Sequence, residues 1–425
     1  MDIVNRRLAV TIVSLCAVLL FDQYAFPVTS TIGTTEDAKA LGYPDTRKLV
    51  RDSTGNLYAA FRRKYNSWYQ VFVAKSTDDG ATWTVPSNPI SVVAGSFHQR
   101  VPSIAIDSAD RLHVVWYGQD NIYSGTNERQ IKYSRSTDGG STWTAWQNIA
   151  PVEGYVSGDY WQEHPVLYID GVDNLYVVWE GRDASHTASS QAKFTKSTDG
   201  GINWWPWANV GALTTNQSRP TMVVDSDYQI FVIAYGYWQA SGKQNILYAT
   251  SSNGGASFSN WSAVSASSSY EQRHPSAAID SGNKIHLVWR QQDPGTSGKT
   301  VIKYSKYTSP AWSASATISA TSTYYQFFPS IANASGSQYV VWTESKNASG
   351  YPSEEPTTGR IVMAKRLQGT TAWIKANVTS VANNVWGSIR WSSHNLNGGN
   401  VDIVYSSGSA SPFSLKYQSF SPWGQ

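Results

Sequence analysis

Ser76-Thr77-Asp78-Asp79-Gly80-Ala81-Thr82-Trp83 returns as Ser136-Thr137-Asp138-Gly139-Gly140-Ser141-Thr142-Trp143 and as Ser197-Thr198-Asp199-Gly200-Gly201-Ile202-Asn203-Trp204. A degraded copy reads Ser251-Ser252-Asn253-Gly254-Gly255-Ala256-Ser257-Phe258. The copies start 60, 61 and 54 residues apart. Self-similarity at that period implies an array of like supersecondary units. Each copy sits between a β-like run and an aromatic. Asp-Gly or Gly-Gly supplies the left-handed backbone of a tight hairpin, the Ser and Asp side chains can bond the turn backbone, and the Trp can fold back as an apolar plug. The phrase is self-sufficient as a turn, so no catalysis is expected of Asp78, Asp138 or Asp199.

A second phrase precedes each turn. Its clearest copies are Arg100-Val101-Pro102-Ser103-Ile104-Ala105-Ile106-Asp107, Glu163-His164-Pro165-Val166-Leu167-Tyr168-Ile169-Asp170 and Arg273-His274-Pro275-Ser276-Ala277-Ala278-Ile279-Asp280, each followed by a strand-like run ending in Trp116, Trp179 or Trp289. Weaker copies start at Arg219 and Phe328, and the first and last repeats retain Leu49–Asp52 and Ser388–Trp391. That makes seven repeats of four antiparallel strands, an all-β, seven-bladed β-propeller. Six blades is the alternative if the last repeat is a decoration. The seventh repeat ends after its third strand, and residues 28–34 are expected to supply the missing outer strand and close the ring, which removes exposed edges.

The pattern S-x-D-x-G-x-T-W resembles the Asp-box of sialidases and related β-propellers, a motif also found in lectins, sorting receptors, polysaccharide-cleaving enzymes and non-catalytic secreted proteins. The resemblance covers about residues 40–420. It implies a sialidase-like propeller that holds sugars on the face away from the Asp-box turns.

Composition agrees with a β-rich chain: aromatics are 13%, charged residues only 15%, with 19 Trp and 25 Tyr. Residues 1–27 read as a signal peptide or N-terminal anchor, because Arg6 and Arg7 precede an apolar run over residues 8–21 that is short for a membrane span; residues 28–425 then form the propeller. The expected location is secreted or extracellular, with anchoring through residues 8–21 as the variant. Cys16, the single cysteine, lies in that run, so the remaining chain has neither disulfides nor thiolate metal sites. The net charge of +3 and the lack of a basic run argue against nucleic acid. The sequons at Asn216, Asn260, Asn333, Asn347 and Asn377 are surface glycan acceptors only in a host that glycosylates exported proteins.

Aligning the repeats on their shared Asp gives two columns at the mouth of the central channel. One holds Asp45, Arg100, Glu163, Ser218, Arg273, Phe327 and Val385; the next holds Thr46, Val101, His164, Arg219, His274, Phe328 and Trp386. Arg100, Arg219 and Arg273 are candidates for gripping a carboxylate, with His164 and His274 beside them. Rim aromatics, Trp161 and Tyr325 among them, are candidates for stacking on sugar rings. The expected partners are glycans. The sialidase resemblance implies three arginines on the substrate carboxylate, a Tyr nucleophile activated by a Glu, and an acid/base Asp. Arg100-Val101-Pro102 matches the family's arginine phrase, Tyr160 with Glu163 is the candidate nucleophile pair (Tyr270 with Glu271 is a second), and Asp120, Asp159 and Asp183 are candidate proton donors. A polysaccharide lyase would instead use His or Tyr as base with Arg neutralising a uronate. A non-catalytic binding module would need no acid/base pair. No ligand spacing recurs among the histidines, so neither metal nor cofactor is expected. His113 and His286 occupy equivalent strand positions, which points to packing.

Overall fold

The computed structural model describes residues 28–420 except 44–45, 93–96, 123–127, 153–159, 212, 239–241, 267–268, 294–298, 320–322, 335, 347–358, 380–383 and 390–400. Residues 1–27, assigned above to a signal peptide or anchor, lie outside the described residues, as do Asp45 and Asp159. Among the described residues no helix is long and apolar enough to cross a membrane.

Seven antiparallel sheets are present, one per repeat. Blade 2 shows the plan: Gln99–Ile106, Leu112–Gly118, Gln130–Ser136 and the short outer strand Gln147–Asn148. Blade 1 has three strands and blade 5 has five. In blade 7, Val28–Thr35 pairs antiparallel with Phe413–Phe420, from Val28 opposite Ser419 to Thr35 opposite Phe413. The seventh repeat is therefore a blade, and the first described strand closes the ring.

The second strands carry the core. Trp116, Trp179, Trp289 and Trp342 are fully buried on them, and the first two donate their indole N–H to Gln99 and Gln162 at the start of the neighbouring first strand, at 2.9 and 2.7 Å. The repeated turn works as its residues imply. Asp78 accepts the Thr82 amide at 2.8 Å and its hydroxyl at 2.5 Å, while the Ser76 hydroxyl donates to Asp78 and accepts the Gly80 amide. Asp138 repeats this with Thr142, and Asp199 with Asn203. The hydroxyl and amide of Thr82 pull the exposed Asp78 carboxyl down to about 2. Trp83 and Trp143 fold back to donate to the Gly80 and Gly140 carbonyls, both at 3.2 Å.

This turn also joins blades. At Gly80 a Cβ would lie 2.0 Å from the Tyr417 ring of blade 7, and at Gly201 1.9 Å from the Tyr133 hydroxyl of blade 2. The bare glycine is the socket for its neighbour's aromatic. His113 and His286 have the packing role their equivalence suggests. The His113 Nε2–H donates to Asp107 at 3.0 Å, and its Nδ1 accepts the Tyr133 hydroxyl at 2.7 Å. His286 repeats the relay with Asp280 and Tyr304. Burial pushes both imidazoles below their ordinary pKa, against the pull of their Asp partners.

Replacing Gly201 by Ala should therefore cost roughly 2 kcal/mol or more, from overpacking and from a left-handed φ of 81°. Gly55→Ala, at φ 95° with nothing within 4 Å, should cost about 1 kcal/mol in the same denaturant titration. The lowered histidine pKa values set a sign for pH. Below the unfolded value of 6.5 the unfolded chain takes up protons that folded His113 and His286 refuse, so stability is full above 6.5 and falls as pH drops beneath it. His113→Gln should flatten that part of a stability–pH curve.

Candidate functional site at the channel mouth

The innermost strands are bent at one place. Val101, His164, Arg219, His274 and Phe328 all have left-handed backbone, with φ between 49° and 56°, and each precedes a proline. Both features are disfavoured for such residues. In each of these blades the ladder shifts register at this point. A bulge of this kind re-aims side chains, and the second column of the repeat alignment thereby turns toward the axis.

What the side chains meet there is Tyr43, from the segment joining the closing strand to blade 1. Its ring lies 5.2 Å from His164, 6.1 Å from His274 in a stacked arrangement and 5.7 Å from Phe328. The Arg219 guanidinium carbon sits 3.4 Å from its centroid. Four consecutive blades, 3 to 6, thus converge on one tyrosine, with Tyr117 against His164 at 5.4 Å and Tyr235 against His274 at 5.6 Å. Tyr43 is half-buried while His164 and His274 lie buried beside it.

The charges form local sets. His164 Nδ1 is 2.6 Å from Glu180 Oε1 and 3.6 Å from Glu163 Oε2. Arg219 Nε is 3.5 Å from the same Glu180 oxygen, and Arg129 pairs with Glu163. Burial, then the Arg219 charge, push the His164 imidazole down to about 4 despite Glu180. Burial opposes ionisation of Glu180, but His164, Arg219 and Ser218 outweigh it and its carboxyl lies below the glutamate range. Nδ1 thus lies against the Glu180 carboxylate without an aligned hydrogen bond to it.

The sequence-derived candidates are distributed as follows. His164, Glu163, Arg219 and His274 are brought together around Tyr43. Arg273 lies nearby, 3.7 Å from Glu271 and 6.0 Å from the Tyr235 ring. Arg100 is felt by Lys39, Tyr69 and His98, on the side of blade 1. Arg219 and Arg273 thus face separate acids instead of one shared vacancy. Tyr160 is half-buried and its carbonyl accepts the Gln162 amide; Glu163, its expected partner, is engaged by Arg129 and His164. Arg182 lies over Trp161 at 5.5 Å, and Lys299 over Tyr325 at 4.9 Å.

Asp120, the expected proton donor, is buried in an ion pair with Lys132, and it also accepts the Asn148 side-chain amide at 2.9 Å and the Ile122 backbone amide at 2.7 Å. Lys132 also lies 4.2 Å from the Trp146 ring, and burial lowers its ammonium to about 8. Blade 3 repeats the unit with Asp183, Lys193, Asn209 and Trp207. There burial opposes ionisation, but Lys193 and Asn209 hold the Asp183 carboxyl well below its usual range. A unit repeated between blades, with its carboxylate committed to an ammonium, is scaffold.

Sequence reasoning missed Tyr43, Glu180 and Arg129. Tyr43 has no counterpart in any repeat. Glu180 had a signal: it pairs across the ladder with Glu163, as Tyr117 does with Arg100, Tyr235 with Ser218 and Arg290 with Arg273. The residue after Trp116, Trp179 and Trp289, and after Ala234 at the same position in blade 4, is therefore a third mouth column. Among the described residues no group of three or more His, Cys, Asp or Glu is placed to hold a metal.

The sequence matches no protein-family model and no curated protein. Its fold is similar to that of an ulvan lyase from a new family of polysaccharide lyases, with TM-score 0.64 and 10% identity over 93% of this chain and 96% of the other. It is similar to an α-L-arabinanase of Penicillium chrysogenum solved with arabinobiose, with TM-score 0.51 and 13% identity over 92% and 97%. A Hadza microbial sialidase follows at TM-score 0.50 and 14% identity over 83% and 73%. At these identities the likeness shows the propeller fold.

If Asp120 is scaffold, Asp120→Asn strands a buried ammonium and should cost about 3 kcal/mol. Thermal unfolding should register that loss, while ligand binding by the folded fraction at the channel mouth stays unchanged.

Proposed function

We propose that this chain is an exported, carbohydrate-acting propeller of the Asp-box type that grips an acidic sugar at its channel mouth. The observation that carries this is Arg219 stacked on the Tyr43 ring with Lys39 and Arg100 within electrostatic reach, while Arg273 and Arg129 are turned to Glu271 and Glu163. Guanidinium groups bind carboxylates with matched geometry, and the half-buried Tyr43, Tyr235 and Trp161 carry ring faces of the kind that stack on sugars. The glycan-acting enzymes that share the fold support a sugar partner. Export, or tethering through residues 8–21, would place the rim among extracellular glycans.

For chemistry on the bound sugar, β-elimination is better supported than hydrolysis. The neutral imidazole of His164, beside Glu180, would take the C5 proton next to a uronate carboxylate that Arg219 neutralises; the C5–H electron pair then forms the C4=C5 double bond as the C4–O bond breaks, and the leaving oxygen takes a proton from water. His164 lies behind the Tyr43 ring, so the ring must turn aside. A sialidase-type hydrolysis would need Tyr160 activated by Glu163 and a free acid, and Asp120 is committed to Lys132.

The test incubates purified protein with uronic-acid polymers and with a fluorogenic sialoside. Ultraviolet absorbance from an unsaturated product, lost in His164→Gln and raised in Tyr43→Ala, is the expected result. Arg219→Ala should raise KM about tenfold or more, the equivalent of one charged hydrogen bond. Sialoside turnover would establish hydrolysis instead. Retention on acidic polysaccharide with no turnover would leave a binding module. Failure of Arg219→Ala to weaken that retention would remove the reading altogether.

A further inference from the structure

The face opposite the channel mouth carries the turns between first and second strands and those between third and fourth. Neighbouring first turns are clasped in the same way at three junctions, between blades 1 and 2, 2 and 3, and 4 and 5. Ser53 donates its amide to Asp110 at 2.9 Å, Ser108 to Asp173 at 2.9 Å and Ser226 to Asn283 at 3.0 Å. Each acceptor is an Asp or Asn in left-handed backbone, where those residues are favoured.

Between blades 3 and 4 the clasp is broken. The donor position is Gly171, and the acceptor position is Tyr228, which keeps the left-handed backbone at φ 61° but offers no carboxylate or amide. Tyr228 is instead 47% exposed. A second departure lies next to it. The residue after the repeated turn is Thr144, Ser259 or Ser313 in blades 2, 4 and 5, and its hydroxyl accepts a strand amide at 3.0–3.1 Å. In blade 3 it is Trp205, 45% exposed, with the Lys196 ammonium 3.7 Å from its ring. Asp170 acts on both Lys196 and Tyr176, and Tyr228 also acts on Tyr176, which ties these side chains into one neighbourhood. Val172 and Ile202, each 58% exposed, lie on the same two turns of blade 3. Where sister blades spend polar side chains on structure, this sector presents four large apolar ones to solvent.

The closing strand says what covers them. Val28 is at this same face, because the Ser30 hydroxyl donates to the Gly80 carbonyl and accepts the Trp83 indole N–H in the repeated turn of blade 1. The apolar run over residues 8–21 precedes it by six residues, a reach of about 20 Å at most. Val28 lies where blade 7 meets blade 1, and the patch lies three blades away, nearly across the ring of seven.

We infer that the turn face of blades 3 and 4 rests on a lipid surface, with Trp205, Tyr228, Ile202 and Val172 at the membrane interface and residues 8–21 as the tether. Two contacts at opposite sides of one face hold it flat and direct the channel mouth away from the bilayer. Trp and Tyr suit the interface, and a patch of this kind on a polar rim marks an interaction site. The exposed carboxylates of Asp199 and Asp227 flank it, so the lipid is zwitterionic, and an acidic glycan does not fit. The inference rests on residues 8–21 acting as an anchor, and is independent of the chemistry proposed at the mouth.

The test uses the full chain with Cys16→Ser, reconstituted in phosphatidylcholine vesicles carrying lipid-borne doxyl quencher. An environment-sensitive dye is placed on Tyr228→Cys, or, as the control on the mouth face, on Ile122→Cys. The expected result is loss of emission at position 228 and none at 122, with the loss at 228 relieved by adding Trp205→Ser and Ile202→Ala while the chain stays on the vesicles. Equal emission at the two positions overturns the inference, as does a chain that stays off the vesicles. If Trp205→Ser with Tyr228→Asn abolishes retention on a polysaccharide in the absence of lipid, the patch is a second glycan site and the lipid assignment falls.

Discussion

A blade is too thin to be stable alone, and at blades 1, 3 and 4 a neighbour's aromatic seats beside a bare glycine of the repeated turn. The Tyr417 ring fills the place a side chain would take at Gly80, and Tyr133 does the same at Gly201. Isolated sheets of two to four strands have two faces to cover and little to cover them with. Stacked radially, each covers the next, and the last must meet the first. The repeated turn, the buried tryptophans of the second strands and the Asp–His–Tyr relays all serve that blade-to-blade contact.

The same economy shapes the channel mouth. A residue that precedes proline in left-handed backbone is costly, of order 1–3 kcal/mol for a strained residue, yet five blades keep one. The bulge takes two successive first-strand residues out of simple alternation and sends one to the axis. Because the backbone carries this aim, the residue itself is free to vary. His164, Arg219, His274 and Phe328 occupy one structural position with different chemistry, and a single tyrosine reads all four.

The fold was legible because its signals recur. A Ser–Asp–Gly–Trp turn and a Pro-centred strand, repeated at nearly constant spacing, set the phase and number of the blades, and the shortfall in the last repeat pointed to residues 28–34. The mouth was legible in part for the same reason, since alignment found the column of His164, Arg219 and His274. Tyr43 was invisible because it belongs to no repeat. A loop acid such as Asp120 looks the same in sequence whether it is open to solvent or, as here, buried on Lys132, an arrangement that Asp183 repeats on Lys193. Glu180 could have been found by carrying the alignment across the ladder to the second strand.

Ring closure has a consequence for how the chain comes into being. Lys416 bonds Thr31 across 385 residues of sequence. Val28–Thr35 has no ladder partner until Phe413–Phe420 has been made. Long-range pairings of this kind fold slowly and leave apolar edges open in the interval. A chain stopped anywhere before Phe413 is therefore no smaller propeller; it is an open arc with an unpaired strand at each end, and its fate belongs to chaperones and proteases.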